Sequence, residues 1–329
     1  EALYGIQTLR CIENFDISRD YLSEYPEFTK ALGVVKMGAV LANHELGLID
    51  DQIKDAIVAA CQELIDGKHV EHFPVDMIQG GAGTSVNMNA NEVIANRALE
   101  IMGKERGDYK VVSPNDHVNM SQSTNDAYPS AMHIGLYYNH FRVKEALEAI
   151  MESFAKKEKE FAHIVKMGRT QMQDAVPMTL GQTFGAYKSA MKNELNRLEK
   201  IAKELLTINM GATAIGTGIT SEPGYAEACI KYIREITNLD IRLSEDLVEA
   251  TNDTSSMLFY ASALKMIAIR VSKICNDLRI LSSGPRTGIA ELALPAKQPG
   301  SSIMPGKVNP TQAEALTMVV AQVIGNDVT

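Results

Sequence analysis

Apolar positions along this chain recur mainly at spacings of three and four, and strict alternation is scarce, so the pattern predicts a helical protein with little strand. Asp50 or Asp51 is placed to cap a helix ending near Gly67, and a second helix is expected from Asn87 to a stop at Gly103. Beyond residue 128 the pattern lengthens. Pro129 to Val165, Pro177 to Met210 and Ser244 to Ser282 each read as one long helix, with stops at Gly168, Gly211 and Gly284. At a rise of 1.5 Å per residue each would span roughly 50 to 57 Å. Helices of that length without sustained strict heptads suit an extended bundle better than a two-stranded coiled coil. The expected class is therefore all-α: a smaller, mainly helical N-terminal domain over residues 1–124 and a central long-helix bundle domain over residues 125–329, the boundary lying in the polar segment Thr124 to Pro129.

Composition narrows the function classes. A chain of 329 residues with 45% hydrophobic content can bury a substantial core, and 16 methionines beside few aromatics predict one filled by Leu, Ile, Met and Ala. Net charge is -9 with both signs interspersed, so no general phosphate-backbone face, and no nucleic-acid partner, is expected. Cys11, Cys61, Cys229 and Cys275 lie far apart without a CxxC and read as reduced, small core residues. No run approaches about 18 apolar residues and no signal peptide opens the chain, so a soluble, cytoplasmic protein without a membrane partner is expected. The chain opens at Glu1 without an initiator methionine and closes just after an apolar run, which reads as a fragment.

The chemistry concentrates in four polar segments: GGAGTSVNMN (Gly80 to Asn89), SQSTND (Ser121 to Asp126), GRTQMQD (Gly168 to Asp174) and GSSIMPGKVNP (Gly300 to Pro310). Each sets short hydrogen-bond donors beside glycine or a helix start, where exposed N–H groups and the helix dipole favour a small carboxylate. Alone, the first two are better explained as turn and cap, and GRTQ says little. The fourth is not explained that way, since a glycine-rich loop with two serines, a lysine and an asparagine before Pro310 serves no packing purpose. It is not a phosphate loop: one residue too many separates Gly300 from Gly306, and Val308 stands where Ser or Thr is needed. No GxGxxG is in register, so nucleotide cofactors are not indicated. His69 and His72 sit one turn apart in a polar connector and read as solvated, and no catalytic metal is expected.

In this order the four segments resemble the aspartase/fumarase superfamily, whose strongest signature, GSSxMPxKxN, is matched from Gly300 to Asn309. YGIQTLRCIENF (Tyr4 to Phe15), SPNDHVNMSQSTNDAYP (Ser113 to Pro129), GRTQMQDAVPMTLGQ (Gly168 to Gln182), GATAIGTG (Gly211 to Gly218) and KICNDLRILSSGPR (Lys273 to Arg286) are similar to its aspartase branch, so the resemblance covers essentially the whole chain. It implies a homotetramer around a twenty-helix core, sites shared between subunits, and a C-terminal helical domain that this chain lacks. The implied reaction is a reversible anti elimination from a succinyl-type dicarboxylate through an enediolate, with no cofactor required.

By residue-wise match, Ser301 would be the base. Thr84, Ser123 and Thr124 would bind the β-carboxylate, Thr170, Lys307 and Asn309 the α-carboxylate, and Asn125 and Gln171 would lie near the leaving amino group. Ser302 would complete the substrate-binding set. Gln171 follows GRT where fumarases carry His, which favours ammonia release from L-aspartate, whereas NPTQAEALTMV (Asn309 to Val319) looks more like the fumarase version. Two other readings remain: a class II fumarase acting on L-malate, and a catalytically silent scaffold, against which the retention of Ser301 and Lys307 argues.

Overall fold

The computed structural model describes residues 2–329. In chain order the elements are α1 (Ile6–Asn14), α2 (Pro26–Glu45), α3 (Asp51–Ile65), α4 (Thr84–Ile101), α5 (Thr124–Glu160), β1 (Val165–Thr170), β2 (Gln173–Thr179), α6 (Leu180–Ala202), β3 (Thr207–Ile208), α7 (Tyr225–Thr237), β4 (Arg242–Leu243), α8 (Leu247–Asn252), α9 (Ser255–Leu281) and α10 (Thr311–Val328). A π turn, Pro114–Val118, precedes α5. The class is the helical one expected. Strands among the described residues are confined to an antiparallel β1–β2 hairpin and a two-residue parallel β3–β4 pair.

The chain packs as two compact units, one of residues up to Phe141 with Lys203–Thr254, the other of Arg142–Ala202 with Ser255–Thr329. Composition divides the chain by a single cut at residue 124, whereas compactness groups it discontinuously. The first unit centres on α2, which is buried nearly all round and packs on α3 and α7. Gly38 permits the approach of α7, since a Cβ there would meet Ile233 at 2.6 Å. Asp50 caps α3 by accepting the Ile53 N–H at 2.9 Å, and Gly67 follows it at φ +80, as the sequence suggests. Cys11, Cys61, Cys229 and Cys275 are all buried free thiols.

The second unit is built on α6, α9 and α10, with α9 packing against both others. Its core includes Phe154, Phe184, Tyr187, Met191, Ile274 and Leu281. Apolar side chains also stand outward along these helices, among them Leu258 and Phe259 on α9 and Met318 and Val328 on α10, the last 82% exposed.

Three expected helices are corrected. The first starts five residues early, at Thr124, and ends at Glu160; Gly168 does not stop it but sits in β1, where a Cβ would meet the Val176 carbonyl of the paired strand at 2.9 Å. The second is shortened at both ends: residues 173–179 carry β-branched Val176 and Thr179 beside Pro177 and pair with β1 as a strand, and Lys203–Leu206 tighten into a 3-10 turn. The third breaks at Asp253, which is extended at φ -102 and ψ 141, because Asn252 to Ser256 are residues whose side chains compete for the backbone. Farther upstream, α4 begins at Thr84 rather than Asn87.

Candidate active site

Within the first unit, the polar segment 121–126 runs into the start of α5 and rests on a buried lysine. Lys36, wholly buried in α2, donates to Asn87 Oδ1 at 2.7 Å, Gln122 Oε1 at 2.8 Å and Asn119 Oδ1 at 3.1 Å. Asn87 then donates to the Thr124 hydroxyl at 3.2 Å. Asn87 lies one helical turn beyond Thr84, which opens α4 exposed after Gly83 in a left-handed conformation at φ +78. Tyr128 fills the space a Cβ on Gly83 would need, bringing the GGAGTS turn against α5. Burial lowers the Lys36 ammonium to about 7, partly offset by Asp126.

Asp126 is the anionic member of this buried layer. Its Oδ1 accepts the Ser123 N–H at 2.9 Å, and its Oδ2 accepts the N–H groups of Gly211 at 3.1 Å and Thr213 at 2.9 Å. Burial raises its carboxyl to about 6, against the pull of those N–H donors and Lys36. Pro129, inside the second turn of α5, has no N–H for the Asn125 carbonyl four residues back. Asn209 supplies the missing donor, its Nδ2 meeting that carbonyl at 3.0 Å. The Asn125 side chain donates from Nδ2 to the Ala214 carbonyl at 2.8 Å.

The second unit holds the remaining candidates. Thr170 pairs with Gln173 at the end of β1, so Gln171 and Met172 alone form the turn, both left-handed at φ +52 and +63. Primed two-residue turns need that conformation and ordinarily use Asn or Gly, so a glutamine here is held at some cost and presented outward. Glu291 ties the hairpin down, with Oε1 at 2.6 Å from Arg169 and Oε2 at 3.0 Å from Lys166.

In the signature loop, the Ser301 carbonyl accepts the Met304 N–H at 3.1 Å and the Met304 carbonyl accepts the Lys307 N–H at 3.2 Å. A Cβ on Gly300 would collide with the Lys307 carbonyl oxygen, so only glycine lets the two ends of the loop touch. Ser301 is half-buried, while Ser302 and Lys307 are exposed. Lys307 and Asn309 line a cavity of about 1170 Å³ together with Met172, Arg279 and Ser282. Of the hairpin tip, Met172 and not Gln171 lines that space.

Thr84, Ser123, Thr124 and Asn125 therefore gather in the first unit, and Thr170, Gln171, Ser301, Ser302, Lys307 and Asn309 in the second. Sequence reasoning missed Lys36, Asn87, Asp126 and Asn209, which hold the first set. A lone lysine in the apolar run GVVKMGAV was the one available signal. Among the described residues, His69, Glu71 and His72 bring donor atoms within 4.8 Å of one another, but the His69 Nε2 is 2.7 Å from Glu63 and hydrogen-bonded to it. No helix among those residues is long and apolar enough to cross a membrane.

Known proteins match closely. The sequence profile of a family described as lyase matches residues 1–325. The aspartate ammonia-lyase of Pseudomonas aeruginosa is 53% identical over 328 residues, covering 99% of this chain and 69% of that protein. That of Helicobacter pylori is 54% identical over 327 residues, covering 99% and 70%. Among solved structures, a fumarate lyase:delta crystallin from Brucella melitensis bound to cobalt superposes with a TM-score of 0.98 at 50% identity, over 100% of this chain and 71% of that one. A class II fumarase from Schistosoma mansoni gives 0.94 at 35% identity, over 100% and 72%. With the signature loop, the donor-rich helix starts and the helical fold in common, the chain belongs to the aspartase/fumarase superfamily of lyases.

Proposed function

We propose that the chain is an aspartate ammonia-lyase, eliminating ammonia reversibly from L-aspartate to give fumarate. The observation that carries this reading is the 53–54% identity to aspartate ammonia-lyases over almost the whole chain. Gln171 supports it, because an amide at the hairpin tip can hydrogen-bond an amino group but does not titrate as a proton carrier in the working pH range.

In this scheme Ser301, as the base, takes a proton from Cβ, and the electron pair moves into the β-carboxylate as an enediolate. Thr84, Ser123 and Thr124 stabilise that developing charge with preorganised donors. The pair then returns to form the Cα–Cβ double bond as the Cα–N bond breaks and ammonia leaves past Asn125 and Gln171. Lys307, Thr170 and Asn309 hold the α-carboxylate, with Ser302 beside them. Serine is a poor base in water, so its activation depends on closure of residues 303–308 over the substrate. No cofactor takes part.

The functional unit is a homotetramer in which Thr124, Gln171 and Ser301 come from different chains, working in the cytoplasm. The outward apolar residues of α9 and α10 support assembly, since a bare row of this kind is uncommon on a monomer. The likeness to a class II fumarase at a TM-score of 0.94 favours a second reading, hydration of fumarate to L-malate. One experiment separates the two: fumarate absorbance is followed with purified protein supplied with L-aspartate or L-malate. Fumarate from aspartate alone is expected, and production only from malate would replace the ammonia-lyase reading with the fumarase one.

A further inference from the structure

The segment Ser123–Asp126 is fastened to residues 209–214 at four points, which is more than a helix start requires. Asp126 Oδ2 gathers two N–H groups of that loop, from Gly211 and Thr213. Both residues are left-handed, at φ +94 and +57, which turns their N–H groups toward a single acceptor. Asn209 reaches back to the Asn125 carbonyl that Pro129 leaves without a helical donor, and also donates to the Thr251 hydroxyl at 3.0 Å. The fourth point is the Asn125 side chain itself, whose Nδ2 is spent on the Ala214 carbonyl.

This last bond settles the direction of the Asn125 amide. A carbonyl oxygen can only accept, so the group facing Ala214 is the NH2, and Oδ1 is left as the acceptor. An ammonium group carries only donors. We infer that Asp126 and Asn209 are positioning residues for the elimination: they latch residues 123–125 to the 209–214 loop, so that Asn125 offers the amino group an acceptor rather than a donor. The inference rests on the proposed reading, in which Asn125 lies at the leaving group. Neither Asp126 nor Asn209 is placed against substrate.

Asp126→Asn keeps size and burial but turns one of the two accepting atoms into a donor facing backbone N–H groups. Steady-state kinetics with L-aspartate would compare wild type, Asp126→Asn, Asn125→Ala and the double variant, with tetramer content measured for each. Loss of aim should lower kcat about tenfold with KM moved much less, and in the Asn125→Ala background the same change should cost clearly less than in wild type, because the aim of Asn125 is already gone while only Ser123 and Thr124 are left to be held. A merely structural role would lower activity by the same factor in both backgrounds. Losses that multiply, or a wild-type kcat in Asp126→Asn, would overturn the latch. Should Asp126→Asn not assemble, Asn209→Ala carries the same cycle with the same two outcomes. If wild type makes no fumarate from aspartate, the functional reading fails first, and the role in elimination falls with it.

Discussion

At the scale of single residues, the proposed roles separate by which kinetic constant they touch. Ser301→Ala removes a proton acceptor used only in the chemical step, so kcat should fall by about 10² to 10⁴ while the fold and assembly persist. Near-normal turnover would reject Ser301 as the base. Lys307→Ala removes a charged partner of a carboxylate and should raise KM roughly tenfold or more, and an unchanged KM would take Lys307 out of the site. Gln171 makes a different test, because its φ of +52 is one that glycine adopts freely. Gln171→Gly should leave thermal stability equal to wild type or higher by up to about 1 kcal/mol, while turnover drops. A variant that gains stability and keeps its rate would mean the side chain has no part in the reaction. The signature loop was legible because short donors beside glycine serve no packing purpose there. Lys36 and Asp126 were not, since a lysine inside an apolar run predicts nothing by itself and an aspartate beside Asn125 reads as an ordinary helix cap.

At the scale of elements, periodicity located α3 and α4 of the first unit within a few residues because cap and stop residues mark their ends, as Asp50 and Gly67 do for α3, while α1, α2 and α7 were not placed by it. It failed at the β1–β2 hairpin, where the turn residues Gln171 and Met172 carry no Asn-Gly signal and the apolar spacing around them suits a helix as well as a strand. It also ran through the α8–α9 break, where the polar residues face outward without disturbing the apolar spacing. One link between elements should be measurable by acid. Glu63 on α3 receives Arg97 of α4 at 2.6 and 2.8 Å, and that pairing holds its carboxyl down at about 2, His69 adding to the effect and burial opposing it. A carboxyl lowered in the folded state adds stability that is fully present above its unfolded value near 4.5 and is lost as pH falls through about 2. Unfolding midpoints followed across that window should therefore fall more steeply in wild type than in Glu63→Gln. Parallel curves for the two proteins would show that the α3–α4 ion pair contributes nothing to stability.

At the scale of the whole molecule, the proposed sharing of sites has a direct test in complementation. Ser301→Ala and Thr124→Val proteins should each be inactive, and mixing them after dissociation should restore activity toward a statistical fraction of wild type, because some reassembled sites escape both lesions. Mixed tetramers as inactive as their parents would show that each chain builds its own pocket. The outward apolar rows on α9 and α10 also bear on how the chain fares in a cell. Leu258, Phe259, Met318 and Val328 are a hazard for as long as nothing lies over them. If copies of the same chain are what cover them, the supply of cover rises with the chain's own abundance, so the fraction lost to aggregation or to chaperones and proteases should be greatest when expression is lowest.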